Sequence, residues 1–425
     1  MKKKLGLLAA VAIATSVLVI PSAKAADTVT IYGGFGDAQA DAFQHELDIF
    51  GAANGITIKY TKLTSYDTDI RVKVKAGQSP DIGIWPQPGG LLDYASVLEP
   101  LSGIVDLPSI QKTLIPGWDK LAVKGGKVYG LPVSANIKSL VWYNPANFKA
   151  AGLSVPKTDA ELTKLEATIK AKKLGYVWCA GIESGGATGW AATDWMEEYV
   201  LRYGGVEQYN KWWKGQIKFN SPLVTKAGNT VAAHLLSAGA ANGGGKGLAA
   251  TSFGNTAALF STDKNKCFMM RQGSFITGFF PDNIKAEYAA NNFTHVGVFK
   301  LPTPAGATDG VLGGGDLAAA FNDNAATKKV MGFILSDKLG QNGTLGIYNS
   351  YLSAHKTFPS SLYTNPMTKQ IATFLASANA FGFDGSDLEP GIVNATEWSE
   401  LTNWYAGKKT MKQAFDAIDA SWAKA

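Results

Sequence analysis

Short apolar strands alternate with amphipathic helices in the first part of the chain. Polar and apolar β-branched residues alternate in a strand pattern over 28–32, and similar strand patterns return at 56–61 and 81–85. Apolar residues at helical spacing follow Asp37, which is placed to cap that helix, and a second helix is predicted over 69–76. This order predicts a parallel sheet with right-handed crossovers.

The ends of these strands indicate where a ligand would bind. Ligands of open parallel sheets bind beyond the carboxyl ends of the strands. The loops at 33–37 and 85–90 follow the first and third predicted strands. We therefore expect both loops to face a cleft.

A second block of alternating elements begins after Gly130. It comprises predicted strands over 131–143, 177–182 and 311–321, and predicted helices over 162–172, 190–202 and 327–338. The chain after residue 360 has mostly helical spacing. Because 425 residues are too many for a single core, the pattern predicts two α/β lobes joined by short connections.

The N-terminus has the pattern of a secretory signal peptide. Three lysines at 2–4 precede an uncharged apolar stretch over 5–20, and Ala23-Lys24-Ala25 gives a small-x-small cleavage pattern. This stretch is shorter than the roughly 20 residues of a membrane-spanning helix, although a membrane anchor is the alternative interpretation. No cysteine follows it directly, which disfavours a lipoprotein. We expect residues 1–25 to be removed on export.

Removal of that segment changes the charge balance. The chain has 40 lysines and arginines against 34 acids, and four of the lysines but none of the acids lie within residues 1–25. The remaining 36 against 34 gives a net charge of +2, so the sequence pI of 8.9 does not indicate nucleic-acid binding. The glycine-rich run at 243–247 lacks the Ser or Thr of a phosphate loop.

Two cysteines and four histidines limit the redox and metal chemistry. In an oxidising compartment, Cys179 and Cys267 most simply form a disulfide, and two free buried thiols are the alternative. The histidines are scattered, at positions 45, 234, 295 and 355, without the paired spacing of a metal site or a catalytic dyad. The sequence therefore predicts neither a metal nor a cofactor.

Several motifs, in order along the chain, resemble the solute-binding proteins of ABC sugar importers, in the maltose-binding-like group called family 1. The signal peptide, GQSPDIGIW at 77–85 and KVYGLP at 127–132 carry this resemblance. A closer resemblance is to α-glucoside-binding members. It rests on WPQPG at 85–89, GW through DWME at 189–197, CF through RQGSF at 267–275, GGGD at 313–316 and FDGSDL at 383–388.

The resemblance implies a periplasmic-binding-protein fold of type II, an α/β fold in which each of two lobes is a mixed, mainly parallel sheet flanked by helices. It assigns residues 26–135 and 314–357 to the N-terminal lobe, and 136–313 and 358–425 to the C-terminal lobe. The chain would cross between the lobes near 134–138, 310–315 and 355–360. Many maltose binders carry a charged pair where this chain has Gln87 and Pro88, so contacts with the sugar should differ there.

The residues expected to hold a sugar combine hydrogen-bonding groups with aromatic faces that cover sugar rings. They are Phe35, Asp37, Trp85, Gln87, Asn136, Glu183, Trp190, Asp194, Arg271, Phe275, Gly314, Asp316 and Trp398. Trp190 and Asp194 are four residues apart and share a helix face, whereas Trp195 is expected in the core. The alternatives are core burial for Trp85, helix capping for Asp37 and an amphipathic strand around Arg271.

The expected function is capture of an α-glucoside, or a similar di- or oligosaccharide, by closure of two lobes, and delivery to the membrane subunits of an ABC transporter. We expect a periplasmic or otherwise extracytoplasmic monomer that binds no nucleic acid. One alternative is an extracytoplasmic glycoside hydrolase, which would need two carboxyls about 5 Å or about 6.5–9.5 Å apart. The other alternative is the same fold binding a polyamine, a metal or a peptide.

Overall fold

A computed structural model describes residues 27–260, 267–342, 345, 351–378 and 380–425, apart from the side chains of Asp37 and Ala258. The predicted signal peptide lies outside these residues. Within the part of the chain that is described, no helix is both long enough and apolar enough to cross a membrane.

Strands and helices alternate along most of the chain. The strands are β1 (Asp27–Gly33), β2 (Ile56–Lys62), β3 (Ile82–Trp85), β4 (Ala122–Lys124), β5 (Lys127–Pro132), β6 (Asn136–Ile137), β7 (Leu140–Tyr143), β8 (Tyr176–Trp178), β9 (Cys267–Arg271), β10 (Gly297–Lys300), β11 (Gly310–Gly314), β12 (Leu317–Ala320) and β13 (Ala380–Phe383). The helices are α1 (Asp37–Asn54), α2 (Tyr66–Lys75), α3 (Pro88–Leu92), α4 (Leu107–Thr113), α5 (Pro145–Ala151), α6 (Asp159–Ala171), α7 (Trp190–Trp212), α8 (Pro222–Leu235), α9 (Gly244–Ala250), α10 (Asp282–Ala289), α11 (Ala325–Ile334), α12 (Pro366–Ala376), α13 (Gly385–Leu388), α14 (Gly391–Tyr405) and α15 (Met411–Ser421).

The first lobe is built on a six-stranded sheet with the order β2-β1-β3-β12-β5-β4. β2, β1 and β3 are parallel, as the alternating pattern predicted. β12 pairs antiparallel with both β3 and β5, and β4 pairs antiparallel with β5, so the whole sheet is mixed. α1 begins at Asp37 with Gly36 in the N-cap position, so Asp37 is the first helical residue and not the predicted cap.

The second lobe is built on two smaller mixed sheets, with the orders β10-β7-β9-β8 and β13-β11-β6. Long α7 lies in its centre, and every residue from Ala191 to Arg202 is buried. At Gly205 the backbone leaves the helical region, with a φ of 68°, and the chain resumes as a second helical segment. Buried apolar residues of α6, α7, α8, α14 and α15 form one continuous core in this lobe.

Two of the predicted crossings join these lobes in the structure. The segment between β5 and β6 leads from the six-stranded sheet to the second lobe, and the turn between β11 and β12 leads back. The single strand predicted over 131–143 is therefore divided among β5, β6 and β7, and the strand predicted over 311–321 is divided between β11 and β12. The residue boundaries of the two lobes stay a prediction.

Cys179 and Cys267 form a disulfide. Cys267 opens β9, and Cys179 directly follows β8, the parallel neighbour of β9. Both cysteines are buried. The bond closes a loop with a sequence separation of 88 residues, which in the unfolded chain restricts the conformations of much of the second lobe.

We expect the variant Cys179→Ala/Cys267→Ala to lose about 2–4 kcal/mol of unfolding free energy, because its unfolded chain is no longer cross-linked. Urea unfolding of the purified variant, followed by tryptophan fluorescence, measures the loss. The wild type unfolded with a thiol reductant should match the variant. Equal urea midpoints for the variant and the oxidised wild type would contradict this prediction.

Candidate functional site

A cavity of about 230 Å³ lies between the two lobes. The first lobe lines it with the loops after β1 and β3 and with the start of α2. The second lobe contributes the segment before α7, Phe253 and part of the 3-10 turn over Ser274–Phe279. Ser134, Ala135, Asn136 and Lys138 of the first crossing, and Gly315 and Asp316 of the second, also line it.

Four aromatic rings of the second lobe form a row along one wall. The ring centroid of Trp190 lies 4.9 Å from that of Phe253 and 5.7 Å from that of Phe275. The ring of Phe279 continues the row, with its centroid 5.0 Å from that of Phe253. Gly189 caps α7 with a φ of 117°, a left-handed conformation that favours glycine and makes Trp190 the first helical residue. The row offers an apolar surface of the kind that covers the face of a sugar ring.

Polar oxygens lie on the wall contributed by the first lobe and the second crossing. The Asp316 carboxylate accepts a hydrogen bond from the Ser134 hydroxyl at 2.8 Å, and burial raises its pKa to about 6. Burial also raises the pKa of Asp67, against the opposing effect of the Arg71 charge. Gln87 Oε1 is buried and meets no donor among the described residues. These oxygens have free acceptor capacity that the hydroxyl groups of a ligand can use.

Lys138 lines the cavity and joins α7 to the segment after β13. Its ammonium donates to Asp194 of α7 at 2.8 Å and also to Asp384, which follows β13. The same ammonium lies 5.2 Å from the ring centroid of Trp190. Burial alone would lower the pKa of Lys138, but the charges of Asp194 and Asp384 outweigh burial and hold that pKa well above its ordinary value. Lys138 therefore remains a cation, and its contacts hold the start of α7, which carries Trp190, in place.

The carboxyls of Asp194, Glu197 and Asp384 approach one another closely enough to hold a metal ion, with candidate ligand atoms within 4.8 Å. The Lys138 ammonium, however, already contacts two of the three. Glu197 is satisfied by the Tyr209 hydroxyl at 2.8 Å and by the Gly385 amide at 2.7 Å. The donors present thus account for this group as an ion-pair cluster.

A second buried network lies deeper in the lobe. Glu198 accepts from Arg271 at 2.7 Å, from Arg202 at 2.7 Å and from the Ser139 hydroxyl at 2.8 Å. Burial would raise the pKa of Glu198, but the charges of Arg202 and Arg271 outweigh it and lower that pKa. Arg271 is therefore committed to structure in the core of the lobe.

Glu389 and Glu397 form a buried acid pair beside a contact between the lobes. Among the described residues outside the pair, no group donates a hydrogen bond to any of their four carboxyl oxygens, and the two side chains hydrogen-bond to each other when one of them holds a proton. Burial raises the pKa of Glu397 to about 8; burial, followed by the charge of Glu397, raises the pKa of Glu389 well above its ordinary value. The backbone of Glu389 contacts Gly89 of α3, where a Cβ would lie only 1.9 Å from the Glu389 carbonyl oxygen. The pair is therefore stable when it holds at least one proton.

The structure brings about half of the predicted site residues to the cavity. Those that line it are Phe35, Gln87, Asn136, Trp190, Phe275 and Asp316. Gly314 precedes the lining residue Gly315 and pairs with Asn136 through the backbone. The side chain of Asp37 lies outside the described part of the chain.

Two predicted tryptophans lie away from the lining. Trp85 is 1% exposed and packs edge-on against Tyr66. Its indole folds back over Gly83, where a Cβ would lie 2.3 Å from the ring, so the glycine makes room for burial. Trp398 is buried on α14, with its backbone against Gly189.

Three predicted polar residues are committed to other partners. Asp194 is held by Lys138, and Arg271 by Glu198. The Glu183 carboxylate accepts from the Gly185 amide at 2.8 Å and stabilises the turn before α7. Each of the three therefore stabilises the structure around the cavity and does not line it.

Several lining residues were missed in the sequence. Lys138, Asp67 and Asp387 line the cavity, as do the rings of Phe253 and Phe279. Lys138 carried a usable signal, because it is the one charged residue within an otherwise uncharged stretch over 128–148. Asp387 lies in the FDGSDL motif at 383–388, and the other three stand in segments whose local pattern gives no such indication.

Comparisons with known proteins agree with this geometry. Residues 34–341 match the family model described as bacterial extracellular solute-binding protein. The chain is 33% identical over 402 residues to the osmoprotective compounds-binding protein GgtB of Synechocystis sp., covering 93% of this chain and 92% of that protein. It is 32% identical over 406 residues to the alpha-glucosides-binding periplasmic protein AglE of Rhizobium meliloti, covering 92% and 87%.

Solved structures share the fold at lower identity. A chitin oligosaccharide binding protein superposes with a TM-score of 0.77 at 22% identity, covering 95% of this chain and 99% of that one. A maltose-bound structure of T. maritima MalE3 superposes with a TM-score of 0.68 at 18% identity, covering 94% and 100%. These likenesses establish the two-lobed α/β fold.

Proposed function

The chain belongs to the bacterial extracellular solute-binding proteins, and from that premise we propose that it captures a small α-glucoside and delivers it to an ABC importer. The observation that carries the proposal is the interlobe cavity, with its aromatic row on one side and unsatisfied acceptors on the other. The similarity to an alpha-glucosides-binding protein over nearly the whole chain supports the same class of ligand.

The chemistry of the cavity suits a neutral polyhydroxylated ring. The rings of Trp190 and Phe275 can cover an apolar sugar face, and the oxygens of Gln87, Asn136 and Asp316 can accept from hydroxyls. The Lys138 ammonium is neutralised by Asp194 and Asp384, so it does not call for an anionic ligand. We propose that these side chains, together with Phe35, contact the sugar directly.

The mechanism follows from two lobes and flexible crossings. A sugar that binds one lobe is contacted by the other only on closure, so its differential affinity favours the closed state. We propose that the crossing segments at 134–138 and 310–315 flex between lobes bounded at 26–135 with 314–357, and at 136–313 with 358–425. The closed monomer then docks on the transporter's membrane subunits and releases the sugar.

Family membership indicates an extracytoplasmic location, as expected for a binding protein that serves an importer. We propose that residues 1–25 direct export and are cleaved, and that no lipid is attached. Mass spectrometry of the protein recovered from its host tests both points. A mature chain that begins at Ala26 without added mass is the expected result.

A thermal-shift screen of the purified chain against disaccharides, polyols, amino acids and polyamines tests the ligand class. A sugar at 100 times its dissociation constant adds about 2.7 kcal/mol of stability and raises the melting temperature. Shifts from α-glucosides alone are expected. A shift only from an amino acid or a polyamine would retain the fold and overturn the ligand, and turnover of an aryl glucoside would favour the glycosidase alternative.

Replacement of Trp190 by alanine is expected to weaken α-glucoside binding by about 2–3 kcal/mol, or about 30- to 150-fold, because the variant loses the central ring of the row. Isothermal titration calorimetry measures the change. Trp213→Ala, at the far end of α7, is the matched control and should keep wild-type affinity. Equal sugar affinities for the two variants would show that Trp190 does not contact the sugar.

A further inference from the structure

The aromatic row ends at Phe279. Its ring contacts Phe253, and Gly254 makes room for it, because a Cβ there would lie 2.9 Å from Phe279 Cδ1. Phe279 is the last residue of the 3-10 turn over Ser274–Phe279, which also carries Phe275 at the other end of the row. The position of the terminal ring is thus fixed by neighbours within its own lobe.

Phe279 meets the other lobe at Gly36. A Cβ on Gly36 would lie 3.2 Å from Phe279 Cζ, so the absence of a side chain allows this close approach. The backbone of Gly36, with a φ of −62° and a ψ of 162°, is one that any residue adopts. Glycine at this position is therefore explained by the contact with the ring and not by backbone conformation.

Further contacts between the lobes close the cavity elsewhere. A Cβ on Gly186 would lie 3.3 Å from Thr68 Oγ1, and one on Gly185 would lie 3.5 Å from Ser65 Oγ. The cavity volume of about 230 Å³ is below the roughly 300–1,000 Å³ of sites for drug-sized ligands. A ligand that extends from the cavity toward Phe279, Thr68 or Ser65 would have to displace one of these contacts.

We propose that Phe279, seated against Gly36, is the stop that limits ligand length, so that the closed cavity holds a glucoside of at most two rings. This inference rests on the proposed function, since it assigns a length to the sugar bound at the same site. A third ring extending along the aromatic row would meet Phe279 where the lobes close. Removal of the Phe279 ring opens that end of the cavity and leaves Trp190 unchanged.

Calorimetric titration with two series of probes tests the stop: maltose, maltotriose and maltotetraose, and sucrose with raffinose. For the wild type, we expect the better disaccharide to bind at least tenfold more tightly than its extended counterpart. For Phe279→Ala, we expect that ratio to fall at least fivefold. Phe268→Ala is the matched control, since Phe268 packs against Phe148 away from the cavity, and it should keep the wild-type ratio.

Each outcome separates this inference from the proposed function. If the wild type binds tri- and tetrasaccharides as tightly as disaccharides, or if Phe279→Ala keeps the wild-type ratio, the stop is wrong while sugar binding stands. If the wild type binds none of these sugars and the wider glucoside screen is also negative, the proposed function fails and the stop fails with it. Phe279→Leu, a smaller change in volume, replaces the alanine variant if that variant does not fold.

Discussion

Replacement of Lys138 by methionine should cost about 3–5 kcal/mol of unfolding free energy at pH 7, the cost typical of removing one partner from a buried ion pair. The change leaves Asp194 and Asp384 without their cation, close to Glu197 and Asp387. Methionine keeps the length of the side chain, so the loss reports charge more than volume. Urea unfolding followed by tryptophan fluorescence measures it.

The loss should shrink towards pH 5. Without the ammonium, the neighbouring carboxyls become neutral by protonation, and binding those protons costs less free energy at low pH. The control is Lys412→Met, which removes an exposed pair with Asp416 and should cost less than about 1 kcal/mol. The double variant Lys138→Met/Asp384→Asn should recover part of the loss. A Lys138→Met variant as mild as the control would contradict the assigned role.

Replacement of Glu397 by glutamine should raise the unfolding free energy by about 3–5 kcal/mol between pH 7 and 8, with little effect near pH 4.5. The pKa of Glu397 is raised from 4.5 to about 8 in the folded protein, by burial first. Between those two values the folded state holds a proton that the unfolded state has lost, so stability falls as pH rises, by about 1.4 kcal/mol per pH unit for one proton. Glutamine imitates the protonated acid and is not subject to that loss.

Urea unfolding of both proteins from pH 4.5 to 8.5 measures the difference. Glu389, Glu197 and Asp384 act on the same carboxyl, so the wild-type curve contains their titrations too, and the variant also removes the Glu397 charge that helps to raise the pKa of Glu389. Glu99→Gln, at a partly exposed glutamate in the first lobe, is the control. Its unfolding free energy should change with pH in the same way as that of the wild type. If the unfolding free energy of Glu397→Gln changed with pH as that of the wild type does, Glu397 would be ionised in the folded protein.

The sequence patterns that predicted the fold correctly are those set by residues close to one another along the chain. Alternation at 28–32 and 56–61 corresponds to β1 and β2, because a strand turns successive side chains to opposite faces wherever it packs. The turn glycines before Trp190 likewise predicted a helix that begins at this residue, and α7 begins there. The disulfide between Cys179 and Cys267 was predicted because two cysteines in an oxidising compartment most simply pair, and the structure contains that bond.

The sequence by itself thus determined the class of fold, the alternating strands and helices of its first part, and six of the residues that line the cavity. Only the tertiary structure decided that Trp85 turns into the core over Gly83, that Lys138 meets an aspartate 246 residues away, and that Glu389 and Glu397 share one buried space. The physical reason is that a periodic pattern records which face of an element is buried. The partners on that face come from distant segments, and they decide whether a side chain holds a ligand, an ion pair or a proton.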